Sequence, residues 1–341
     1  MEEQYDSSSI KVLTLADAVR KRPGMYFGQL NGSGVNSLIG ELVANSVDQF
    51  LAGNASTVKL SVSEETITVS DDGLGLPFNI KAKDDAHSSL LESYMLGRHN
   101  TATADNHAPH IHLSVGGGLG GLGLAIVNAA CLNIDIISSD GTYTYKQSFG
   151  KGKALSEMTK EEHSKQSGTT LQINIDKELF NGCGPDYLDL RKTMFELAHF
   201  YPGLIVEYLE ERFFSQRGLL DLAYIHYEND SFCKKEINPT KFYFNGKKND
   251  TSIQVAAIGS SDSAPILRSW VNGYPSIEGG THVEGLLQAL STSGWSPKLA
   301  FIQVIMHDPQ YAGPSRDALR NLDTKEIVQK LLSMPLTKFR K

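Results

Sequence analysis

Apolar and polar positions divide the chain into segments of different period. Residues 1–14 are polar and read as an extended arm. A short helix is predicted over 16–22, ended by Pro23-Gly24. From 35 to 52 apolar residues recur at helical spacing, so a longer amphipathic helix is expected there, closed by Gly53-Asn54. Two segments of period two, 57–62 and 65–70, predict a hairpin of strands. The run Asp71-Asp72-Gly73-Leu74-Gly75-Leu76-Pro77 that follows is rich in turn formers. Residues 98–114 are polar and carry His99, His107, His110 and His112 without regular spacing. A glycine-rich run at 116–123 then leads into a helix of small residues over 124–131, and strands are predicted over 133–138, 143–149 and 169–175. Helix and strand are mixed from there to the end, with a domain boundary expected within 195–220.

Composition narrows the class. A length of 341 residues favours two domains, and 40% hydrophobic against 21% charged residues is enough apolar material for two cores. The net charge of −7 argues against tight nucleic-acid binding by this chain alone, since such binders carry a basic face. The basic end Lys338-Phe339-Arg340-Lys341 reads first as a solvated terminus. Cys131, Cys183 and Cys233 are odd in number and widely spaced, which suggests neither a disulfide framework nor a zinc site and fits a reducing cytoplasm. The acidic N-terminus lacks the apolar stretch of a signal peptide, and no run is long enough to cross a bilayer, so no membrane partner is expected.

Four constellations carry chemistry. On the predicted helix, Glu41, Asn45 and Asp48 fall at i, i+4 and i+7 and share one narrow face. A carboxylate one turn from an amide oxygen suits activation of water beside Mg²⁺, although that face alone reads more readily as solvated helix. Asp71 at a strand end can accept from an exocyclic amine, and Gly75 lets a planar base approach the backbone. The run Gly117, Gly118, Leu119, Gly120, Gly121, Leu122 and Gly123 before a helix suits phosphate, but it is neither a Walker A loop nor a Rossmann fingerprint. Gly168-Thr169-Thr170 opens a strand and brings a hydroxyl that could lie near a nucleotide.

In their order and spacing these segments closely resemble the ATPase region of the B chains of DNA gyrase and topoisomerase IV. That region belongs to the ATPase superfamily shared with heat-shock chaperones, histidine kinases and mismatch-repair proteins. The resemblance begins at Tyr5-Asp6-Ser7-Ser8-Ser9-Ile10 and passes through Val19-Arg20-Lys21-Arg22-Pro23-Gly24-Met25-Tyr26. It continues through the helix, the Asp-Gly turn, the glycine lid and Gly168-Thr169. It reappears at Gly279-Gly280-Thr281-His282 and from Asp308-Pro309 to Arg316-Asp317. It implies ATP and Mg²⁺ as ligands. Glu41 would be the general base, Asn45 the Mg²⁺ ligand, and Asp48 a further residue of the nucleotide site. Asp71, with Thr169, would read adenine, Gly75 would admit the base, and Gly117 to Gly123 would wrap the phosphates. Tyr5 and Ile10 would belong to an arm that crosses to a partner subunit, and Arg316 would reach the γ-phosphate.

Some positions depart from the pattern. Leu74 and Gln49 replace an arginine and its acidic partner together, which avoids an unpaired charge. Gly120 stands where the family has histidine, and Pro314-Ser315-Arg316 stands for Gln-Thr-Lys. The expected architecture is α+β, with helices on one face of a mixed sheet, followed by a smaller α/β transducer. The arm would occupy 1–14, the ATP-binding domain 15–205 and the transducer 206–341. The expected function is an ATP-dependent homodimerisation clamp that hydrolyses slowly and lacks a DNA-cleavage domain. It could meet topoisomerase subunits, or DNA through a partner. The rival expectation is a non-hydrolysing nucleotide sensor or decoy that modulates topoisomerase subunits.

Overall fold

The computed structural model describes residues 13–63, 66–81, 89–97, 122–162, 166–229, 236–313 and 316–339. They form two compact units, one from residues 13–43, 60–97 and 122–187, the other from 44–59 and 188–339. The architecture is α+β, as the sequence predicts.

The first unit opens with α1 (Leu15–Lys21), whose N-cap Thr14 accepts the Asp17 N–H. Arg20, in its last turn, donates to Ala129 O at 3.1 Å and to Asp176 at 2.6 Å. The specific Val19–Tyr26 motif thus includes a structural clasp. The helix ended by Pro23-Gly24 restarts as α2 (Gly24–Phe27), and α3 runs from Gly32 to Leu51, three residues earlier than apolar spacing predicts. Asn31 is the reason: its side chain accepts the Ser33 N–H at 3.0 Å and starts the helix ahead of the first apolar residue.

The sheet of this unit takes β1 (Thr57–Val62), β2 (Ile67–Asp71), β3 (Cys131–Asp140), β4 (Tyr143–Gly150), β5 (Lys153–Ala154), β6 (Thr159–Glu162) and β7 (Ser167–Ile175). Their order is β5-β4-β3-β7-β2-β1, with β6 also paired to β4. Two short helices, α4 (Leu90–Met95) and α5 (Gly123–Ala130), complete it. Side chains alternate across a sheet, so residues in register form rows on one face. Ile67, Ile173, Ile134 and Phe149 make one buried row, and Val69, Leu171 and Ile136 continue the next. The following row on that face is Asp71, Thr169, Ser138 and Tyr145, where the buried surface turns polar.

In the second unit, Ile205 N–H donates to Ser56 O and joins β8 (Ile205–Tyr208) to the start of β1, and β9 (Glu211–Phe213) pairs with β8. A separate sheet has the order β10-β11-β15-β12-β13, from β10 (Lys241–Lys248), β11 (Thr251–Ile258), β12 (Ile266–Val271), β13 (Tyr274–Pro275) and β15 (Leu299–Ile305). Only β12 and β15 run parallel within it. On one face Ile253, Val255, Ile302 and Val304 pack with residues of α8 (Thr281–Ser293) and α9 (Leu322–Phe339). On the other, Phe301 meets His226 of α7 (Leu219–Asn229), and Gln254 and Gln303 both donate to Phe200 O at the end of α6 (Tyr187–Phe200). Short strands β14 (Gly279–Gly280) and β16 (Ala318–Leu319) pair beside α8. Gly280, at φ +121°, must be glycine, because a Cβ there would strike the Leu319 backbone.

Candidate nucleotide-binding site

Asp71 ends β2 where the buried face of the sheet turns polar. Its Oδ1 accepts the Gly73 N–H at 3.0 Å, a local turn that swings the chain off the strand. Thr169 lies directly across from Asp71 on β7 and is 6% exposed, while Asp71 is half-buried. Gly168 makes that approach possible: its φ is +148°, and a Cβ would collide with Asp71 O. Gly75, at φ +83°, is held as closely, since a Cβ there would come within 2.5 Å of Ser139 O. The sequence-predicted Asp71, Gly75 and Thr169 therefore converge on one end of the first sheet.

Glu41 is half-buried on α3, and its carboxylate lies against Gly123, the first residue of α5, so that a Cβ there would have to displace the Glu41 side chain. The first turn of a helix exposes N–H groups without intrahelical partners, and Leu122, the N-cap, supplies no side-chain bond. This places an acidic group beside the positive end of α5. Asn45 and Asp48 follow Glu41 by one and two turns of α3, the first half-buried and the second 9% exposed. Both belong to the second unit by residue range. There the buried Tyr201 phenol has its pKa raised, chiefly by burial and also by the charge of Asp48.

Arg316 also belongs to the second unit, on the segment between β15 and β16, at φ +60° with its guanidinium 5.8 Å from the Tyr311 ring. Tyr5, Ile10, Gly117, Gly118, Leu119, Gly120 and Gly121 lie outside the described residues, as do His99, His107, His110 and His112. Among the described residues there is no cluster of His, Cys, Asp and Glu able to hold a metal, and no helix long and apolar enough to cross a membrane. Sequence reasoning missed Ser138, which is 1% exposed and accepts the Leu76 N–H at 2.7 Å. The signal was a serine at an inward position of an otherwise apolar alternation.

This fold, with a polar end to the buried face of its first sheet, is that of solved gyrase B ATPase domains. Residues 31–179 match the histidine kinase-, DNA gyrase B- and HSP90-like ATPase family. Across 99% of its length the chain is 28% identical to the DNA gyrase B protein of Campylobacter jejuni, covering 46% of that protein. It is 29% identical to the gyrase B protein of Enterococcus faecalis, again over 99% of the chain and 56% of the relative. The chain thus spans about half the length of these relatives. Its fold matches the 43K ATPase domain of Thermus thermophilus gyrase B, solved with an aminocoumarin, at a TM-score of 0.74 and 20% identity, covering 96% of this chain and 90% of that one. The topoisomerase IV ATP-binding domain of Francisella tularensis, solved with a small-molecule inhibitor, gives 0.74 at 24% identity, over 96% and 92%.

Proposed function

We propose that the chain binds ATP with Mg²⁺ and works as an ATP-gated dimerisation clamp that turns nucleotide over slowly. The observation that carries this reading is the Asp71–Thr169 pair at the polar end of the sheet, packed against a turn that only glycine can make. A carboxylate there accepts from the exocyclic amine of adenine, and the absence of side chains at Gly75 leaves the base free to approach. Glu41 takes the proton of the attacking water, and Asn45 offers an amide oxygen to Mg²⁺, a hard cation that prefers oxygen. The metal, when bound, neutralises phosphate charge. Asp48 supports the same site from the next turn of α3. Gly117 to Gly123 offer backbone N–H groups to phosphates, with the N-terminal turn of α5 behind them. Tyr5 and Ile10 close the partner's site through the arm at 1–14, and Arg316, from a transducer at 206–341, supplies positive charge to the γ-phosphate.

The placement of Glu41 against Gly123 supports this assignment, because it puts the base at the helix end that phosphates favour. Proline and serine in place of the family's glutamine and threonine favour a second reading, a non-hydrolysing sensor that engages topoisomerase subunits. Phosphate release from purified protein, with Glu41→Ala as control, separates the two. Release that the variant abolishes supports the clamp, and no release from either protein supports the sensor.

A further inference from the structure

We infer that Ser138 is a positioning residue for the nucleobase site, fixing the path of the Asp71–Phe78 segment across the sheet. The inference rests on the adenine pocket proposed above and adds the device that shapes it. Asp71, Thr169, Ser138 and Tyr145 lie in register on β2, β7, β3 and β4, one residue per strand. The segment leaving β2 starts from Asp71 and then touches Ser138 and Tyr145 of that row. Asp71 itself holds the Gly73 N–H at 3.0 Å. Ser138 Oγ accepts the Leu76 N–H at 2.7 Å and lies 2.8 Å from where a Cβ on Gly75 would be. Phe78, 3% exposed, stacks on Tyr145 with ring centroids 5.6 Å apart and planes 6° apart. Tyr145 is steadied in turn by its hydroxyl, which donates to Asp140 at 3.2 Å.

The segment is therefore pinned at both ends, and Ser138 is its central pin. At 1% exposure, Ser138 offers the Leu76 N–H an acceptor where water has little access. Without it that donor must find a new partner or the turn must lift from the sheet. Gly75 is the residue displaced by such a lift. It lies between Asp71, which reads the base edge, and the Ser138 bond.

The experiment compares wild type, Ser138→Ala and Ser138→Thr by calorimetric titration with ADP and with inosine diphosphate, which lacks the exocyclic amine. It also follows amide exchange at Leu76 in the empty protein. We expect Ser138→Ala to bind ADP about tenfold more weakly, the equivalent of one buried backbone bond. The variant should lose most of the preference for ADP over inosine diphosphate, and Ser138→Thr should restore it. Leu76 should exchange faster in Ser138→Ala alone. Faster Leu76 exchange with an unchanged ADP preference would overturn the positioning role. Unchanged Leu76 exchange would overturn the pin itself. Absence of ADP binding by wild type would instead overturn the nucleotide reading, and the positioning role with it.

Discussion

Glu41 and Asp71 are both acidic, but the proposed site assigns them different roles. Asp71 already holds the Gly73 N–H through Oδ1, so one edge of its carboxylate is committed to the turn. Replacing it with Asn puts a possible donor where the base amine also donates. Nucleotide affinity should fall by about 1–3 kcal/mol in Asp71→Asn, read by calorimetry; unchanged affinity would remove Asp71 from the base pocket. Glu41→Ala should keep most nucleotide affinity and lose turnover by roughly 10²–10⁴-fold, the usual worth of a general base. Phosphate release equal to wild type would refute that role. The spacing of Glu41, Asn45 and Asp48 and the glycines after Asp71 were legible in the sequence, because helix period and turn chemistry are local. Ser138 was not. A serine ending an apolar alternation looks like the end of a strand, whereas β3 runs on to Asp140 between two paired neighbours. Only the register across β7 and β4 gives that hydroxyl a purpose.

Elements flanked by turn signals were legible, and those buried on both faces were less so. The strands of the first sheet alternate because they bury one face, and their predicted spans fall within a few residues of those observed. By contrast β11 and β15 are buried almost throughout, and apolar over 255–258 and most of 299–305, since α8 and α9 cover one face while α7 and the end of α6 cover the other. A continuous apolar run has no period, so pattern alone cannot tell such a strand from a buried helix. At the start of α8, His282 is fully buried, and among the described residues neither ring nitrogen has a hydrogen-bond partner. Burial lowers its pKa from 6.5 to about 4. The folded state therefore binds fewer protons than the unfolded chain between these values. Stability from this group is complete above about pH 6.5 and is lost as pH falls toward 4, by up to roughly 3 kcal/mol. Urea unfolding of wild type and His282→Gln across that range should show the wild type losing stability more steeply. Parallel curves would mean that His282 is not buried neutral.

For the whole molecule, the proposed clamp couples nucleotide and assembly through the arm. In that proposal the cost of ordering the arm, about 1–2 kcal/mol per residue in backbone entropy, is offset when a liganded partner offers Tyr5 and Ile10 a place. The protein should be mainly monomeric when empty and dimeric with a non-hydrolysable ATP analogue, by light scattering. Deleting residues 2–14 should abolish the dimer, and a truncated chain that dimerises equally well would show that the arm is not the clamp. All of this depends on adenine nucleotide binding at the polar end of the first sheet. Calorimetric titration of the intact chain with that analogue and Mg²⁺ tests it most directly, with Asp71→Asn alongside. The account predicts saturable binding by wild type that weakens by about 1–3 kcal/mol in the variant; no binding by wild type, or equal affinity in both proteins, would contradict it.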